Sequence, residues 1–179
     1  LSFEYGLKNV LRQDPDIIMV GEMRDPTSFI AAMSAADTGH LVLSTLHTTN
    51  AAQSVGRILD FFKADEREQV RRQLAGTLQA VICQRIVPTV TGSMTPALEI
   101  LINSSTVKKL IEENRLDKLG AAIETGVEDG MQNFNQALFQ LVKDGKVSEK
   151  EALAKASNPQ ALEMNFKGIF LDEGRRILG

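Results

Sequence analysis

The chain has 179 residues, 43% of them apolar, enough to bury one sizeable core or a core with a small satellite domain. Its net charge of −3, from 20 basic and 23 acidic residues spread along the length, leaves no basic stripe for nucleic acid and no block of like charge for a disordered tail. One cysteine, Cys83, excludes an intrachain disulfide and a cysteine-based zinc site, and no apolar run reaches the roughly 18 to 20 residues that insert into and span a bilayer. A reduced, cytoplasmic setting is the default, with membrane contact made only through a partner.

In chain order, Phe3, Leu7, Val10 and Leu11 fall at helical spacing until Asp14 and Pro15 stop the pattern. The opening at Leu1 without preamble reads as a segment of a longer protein. Two short apolar runs follow, Ile17 to Val20 and Leu41 to Leu46, which read as strands buried on both faces of a parallel sheet. Between them, Asp25 and Pro26 start a helix that carries Phe29, Ile30, Met33 and Ala36 to about Asp37, and Gly39 stands where a left-handed cap is needed.

After the second run, Asn50 and Gln53 resemble a capping box for a helix with Val55, Ile58, Leu59 and Phe62. A longer helix is expected from about Asp65, with the stripe Val70, Leu74, Leu78, Val81 and Ile82 carrying Cys83 in its pattern. Ile86 to Val90 and Ala97 to Ile102 read as a hairpin around Thr91, Gly92 and Ser93, pushed to the sheet edge by Pro88 and Pro96. The alternation predicts an α/β fold with a parallel core over 1–103. From Ser104 the composition shifts to short helices at about 105–113, 115–124, 132–143 and 148–156, a separate helical bundle over 104–179. The stretch after Pro159, with Leu162, Met164, Phe166, Ile169, Phe170 and Leu171, is expected to be partly helical.

Ligands of open α/β sheets sit outside the carboxyl ends of the strands, so Glu22 after the first run and His47, Thr48 and Thr49 after the second define one crevice. Glu22, projecting beside Gly21, can act as a general base on water or join a metal shell; Asp25 reads as a helix cap. Seven residues at roughly 3.3 Å each put about 23 Å between His40 and His47, so the two cannot serve one reacting centre. His47 suits a phosphate contact. His40 reads as a core or capping residue unless another subunit's site lies there. Thr45, Thr48 and Thr49 suit either phosphate contacts or turn chemistry.

LRQDPDIIMVGEMRD, over 11–25, resembles the Walker B segment of the secretion-type ATPases, and TGHLVLSTLHTTNAA, over 38–52, resembles their histidine box. The similarity continues through GRILDFF (56–62), LQAVICQRIVPT (78–89) and EILINSS (99–105) to GMQNFNQAL (130–138), a mark of the pilus retraction motors of twitching motility. The resemblance implies part of a RecA-like, P-loop-type ATPase core followed by a C-terminal helical region. It implies ATP hydrolysis with Mg²⁺ in a cytoplasmic hexameric ring, docked on the inner-membrane platform protein of a type IV pilus machine. Glu22 matches the family's catalytic glutamate, which positions the attacking water. His40 and His47 match the histidine-box pair, with His47 as a γ-phosphate sensor, and Gly21 joins these three in the implied nucleotide site.

The chain also departs from the family pattern. It has no Gly-rich loop ending in Lys and Ser or Thr, no acidic stretch before the Walker B segment and no arginine-bearing N-terminal domain, so alone it is expected not to turn over ATP. Where the retraction motors carry AIRNLIRE, Thr106 to Glu113 read TVKKLIEE. Pilus-assembly and type II secretion ATPases of the same family are the alternative, but they carry paired CxxC motifs and this chain has only Cys83. A noncatalytic interaction module, with 104–179 as its docking surface, is the other.

Overall fold

A computed structural model describes residues 3–170. Helix α1 (Phe3–Val10) runs into a 3-10 turn at Leu11–Gln13, and Asp14 turns left-handed at φ 52°. Pro15 disfavours a right-handed helical conformation for the residue before it, so the chain leaves the helix here and enters strand β1 (Ile17–Glu22). Helix α2 (Pro26–Asp37) starts as its sequence predicts, with Pro26 at the first position and the Asp25 carboxylate accepting from the Ser28 N–H at 2.9 Å and its hydroxyl at 2.7 Å. Gly39, at φ +95°, makes the left-handed exit that a side chain would resist. Strand β2 (Leu41–Thr45) then pairs in parallel with β1, Ile17 opposite Leu41 and Met19 opposite Leu43.

The two strands are buried on one face only, which corrects the expectation of burial on both. Ile18 and Val20 sit in the core with Phe29, Ala32 and Met33 of α2, while Met19 is 66% exposed and Ile17, Leu41 and Leu43 are exposed beside it. The continuous apolar run cannot distinguish these faces. Among the described residues, α2 is the helix packed against the pair.

Helices α3 (Ala51–Asp60) and α4 (Arg67–Thr77) follow, and Phe29 stacks on Phe61 at 5.3 Å and meets Phe62 edge-on. The expected helix through Val81 and Ile82 does not form. Strand β3 (Ala80–Pro88) instead pairs antiparallel with β4 (Met94–Ile102), Cys83 opposite Glu99 and Ile86 opposite Pro96. The alternation decides it: Cys83 and Val87 are buried, Ile82 and Ile86 exposed, a period of two that the shorter stripe Leu74, Leu78, Val81 concealed. The hairpin turns at Gly92, as expected, but it forms a sheet of its own and not the edge of the β1–β2 sheet.

Helices α5 (Ser105–Glu112), α6 (Leu119–Thr125), α7 (Phe134–Lys143) and α8 (Glu149–Lys155) match the expected four within a few residues, the second preceded by a 3-10 turn. Helix α9 (Pro159–Phe166) gives the stretch after Asn158 its helical part; Leu171 lies outside the described residues. One apolar core runs from Ile18 through Leu101 and Phe134 to Leu162, so these helices pack on the hairpin. No helix among the described residues is long and apolar enough to cross a membrane.

The strand assignment leaves Ile82 outside the core, where the expected helical stripe would bury it, while Leu101 of the facing strand is fully buried. Leu101→Ala, at a fully buried position, is expected to cost about 2–5 kcal/mol. Ile82→Ala, at 66% exposure, should stay within about 0.5 kcal/mol. Urea unfolding of both variants checks the pair, and an Ile82→Ala cost matching that of Leu101→Ala would contradict the hairpin.

Candidate functional site

Parallel pairing brings the carboxyl ends of β1 and β2 to the same side, with Glu22 opposite Thr45. Between Met19 and Glu22, β1 takes three steps while β2 takes two, from Leu43 to Thr45, so an extra residue bulges from β1 at Val20 and Gly21. The Ser44 hydroxyl donates to the Gly21 carbonyl at 2.9 Å beside the bulge. Its effect shows in the burial: Ile18, Val20 and then Met23 face the core, a step of two followed by a step of three. Glu22 is thereby turned out of the core instead of into it. Gly21 has no positive φ, and a Cβ there would meet nothing within 4 Å, so the chain's own packing does not demand glycine.

Glu22 accepts a hydrogen bond from the Arg24 guanidinium on Oε2, and its Oε1 lies 3.4 Å from His47 Nε2. The Arg24 hydrogen bond, more than any other influence, holds the Glu22 carboxyl below the usual carboxylate range, and His47 adds to it. The same bond raises Arg24. His47, 87% exposed, reaches across from the segment after β2, so the two motifs that are 25 residues apart in sequence meet at one point.

The other candidates have separate places. His40 donates from Nδ1 to the Ala35 carbonyl at 3.0 Å, with the Thr38 hydroxyl at 3.1 Å, and so closes the end of α2 at the opposite end of β2. Asp25 is the α2 cap, its carboxyl held low chiefly by the Ser28 hydroxyl. Thr48 shares a 2.6 Å hydrogen bond with Ser54, and Thr49 donates to the Gln53 side chain, so both hydroxyls serve the turn into α3. Asn50 accepts from the Gln53 N–H at 2.8 Å, half of the expected capping box; the reciprocal box forms at Asn133 and Gln136 of α7.

Three polar residues are given no role by the sequence reading: Arg24, the clamp on Glu22, and Arg85 and Glu99 in the hairpin. Glu99 is buried and accepts from the Ala51 N–H at 2.8 Å, and Arg85 reaches the Thr49 carbonyl at 3.5 Å, so both touch the turn that carries His47. Charged residues on the inward face of an alternating strand are the signal that finds them. Cys83, between them, is buried and burial pushes its thiol up, the behaviour of a packing cysteine.

An ionised carboxylate beside an imidazole at open strand ends can orient a water against a phosphoryl group. The described residues contain no group of three or more His, Cys, Asp or Glu placed to hold a metal.

A parallel strand pair packed on a helix, with polar residues at its carboxyl ends, is the arrangement in which open α/β sheets carry ligand sites. The chain belongs to the type II/IV secretion system protein family, whose signature covers residues 1–164. It is 45% identical over 163 residues to the twitching motility protein of Neisseria gonorrhoeae, covering 90% of this chain and 44% of that protein. It is 42% identical over 160 residues to the type IV pilus retraction ATPase PilT of Pseudomonas aeruginosa, covering 89% and 46%. Among solved structures, the pilus retraction motor PilT with bound ADP superposes at a TM-score of 0.80 with 40% identity, over 90% of this chain and 46% of that one. The chain therefore spans about half the length of the curated relatives it matches.

The clamp is open to a direct test. In a carboxyl NMR titration Glu22 should titrate below the ordinary glutamate range, and Arg24→Ala should move its midpoint upward. No movement would show that Arg24 does not hold the charge.

Proposed function

We propose that this chain is part of a motor ATPase that hydrolyses ATP to drive type IV pilus retraction. In this reading residues 1–103 belong to a RecA-like core and 104–179 to a C-terminal helical region. The whole protein would form a cytoplasmic hexameric ring that meets the inner membrane through its platform partner. The observation that carries the chemistry is the 3.4 Å approach of His47 Nε2 to Glu22 Oε1 at the carboxyl ends of parallel strands. The names of the relatives support the retraction role.

ATP is the proposed substrate, and Mg²⁺ bound with it would neutralise phosphate charge. The phosphate-cradling loop is not among these 179 residues, so hydrolysis is proposed for the whole protein. Glu22 has one oxygen bound to Arg24, which leaves Oε1, the oxygen facing His47, for the attacking water. Because Arg24 lowers its basicity, Glu22 suits the orienting of water better than full proton abstraction, which favours a base matched to the working pH. His47 then donates to the γ-phosphate oxygens as charge builds during transfer. Gly21 leaves open space where a ligand approaches the strand end. His40, held on α2, keeps the second histidine-box position outside this centre.

Glu22→Gln in the whole protein should abolish hydrolysis and spare nucleotide binding, since it keeps the size and removes the charge. A steady-state rate within about threefold of the unmodified protein would overturn the assignment. His47→Ala should lower kcat roughly 10-fold or more with a smaller change in KM. A change confined to thermal stability would instead mark His47 as a structural residue.

A further inference from the structure

Glu99 is the one buried charged side chain among the described residues, and the proposed hydrolysis does not use it. A carboxylate taken out of water must have its lone pairs met. Burial pushes the Glu99 carboxyl up, and the N–H groups of Ala51 and Phe134 and the charge of Arg85 act against that rise. Ala51 opens α3, directly after the His47 turn, and donates at 2.8 Å; Phe134 opens α7. One carboxylate thus accepts the first N–H of α3, and the first N–H of α7 helps to keep it charged.

Arg85, on the same inward face of the hairpin, does the equivalent with donors. Its guanidinium lies 3.7 Å over the Phe134 ring and donates to the Lys155 carbonyl, at the end of α8, at 2.7 Å. Its other nitrogen reaches the Thr49 carbonyl at 3.5 Å. The segment from His47 to Ala51 is therefore held at two backbone points by two hairpin residues, and Arg85 also holds α8 at Lys155 and α7 at the Phe134 ring.

We propose that Glu99 and Arg85 are positioning residues for His47: they fix the turn that carries its imidazole beside Glu22, and they fix it to α7 and α8. The proposal rests on the catalytic reading of His47. It differs from a simple role in stability because its effect on hydrolysis must pass through that imidazole.

A double-mutant cycle in the whole protein tests it. Glutamine keeps the size of Glu99 but loses the charge that the Ala51 N–H and Arg85 meet, and lysine cannot span the Thr49 and Lys155 carbonyls as the guanidinium fork does. Glu99→Gln and Arg85→Lys should each lower kcat roughly 5- to 20-fold with KM within about twofold. In a His47→Ala background neither should cost more than about twofold further. Equal losses in both backgrounds, or full activity of both single variants, would overturn the proposal. If Glu99→Gln fails to fold, the Arg85→Lys arm decides.

Should His47→Ala alone leave hydrolysis intact, the catalytic reading fails, and amide exchange then judges the tether. Roughly 10-fold faster exchange at Ala51 in Glu99→Gln, with α4 amides unchanged, supports it. Unaltered exchange at the Ala51 amide overturns it.

Discussion

The parallel pairing of β1 with β2 is the constraint on which the site depends. Parallel strands cannot be joined by a tight turn, so α2 must carry the chain back to the start of β2, and both strands then end on the same side. A pair of this length does not stand alone in water. Ile18 and Val20 anchor it against Phe29 and Met33, and Phe61 and Phe62 close over the Phe29 ring. The bulge at Val20 and Gly21 then supplies what pairing cannot, because simple alternation from Val20 would point Glu22 into the core.

Much of this was legible in local signals. Asp25 with Pro26 marked the start of α2, Gly39 its exit, and the polar tips of two apolar runs marked Glu22 and His47. The separation of the histidines also followed from strand length, and His40 and His47 do make separate contacts at the two ends of β2. What failed was the stretch from Leu78 to Cys83. Apolar residues there satisfy a helical stripe and a strand alternation at once, and only the nine-residue pairing with Met94–Ile102 decides between them. Burial on both faces of β1 also failed, because a continuous apolar run carries no information about which face a helix covers. The bulge was hidden for a different reason: it is a mismatch between two strands, and neither strand shows it alone.

The polar residues of the hairpin belong to a third kind. Arg85 and Glu99 are ordinary charges until β3 and β4 are paired, and then both fall on the inward face beside Cys83. There the Ala51 N–H meets the Glu99 carboxyl, and backbone carbonyls and the Phe134 ring meet the Arg85 guanidinium. The same contacts join the turn after β2 to α7 and α8. Division of the chain at residue 104 therefore does not divide its contacts, since α7 packs on β4 and α8 on β3.

The central claim is that Glu22 and His47 converge on one phosphoryl group. The most direct measurement is a structure of the whole protein with ADP and aluminium fluoride, which mimics phosphate in transfer. The account predicts an ordered water about 3 Å from the carboxylate of Glu22, on its Oε1 side, and His47 Nε2 within hydrogen-bonding distance of a fluoride. A fluoride group bound elsewhere, with Glu22 and His47 contacting only each other and Arg24, would contradict it.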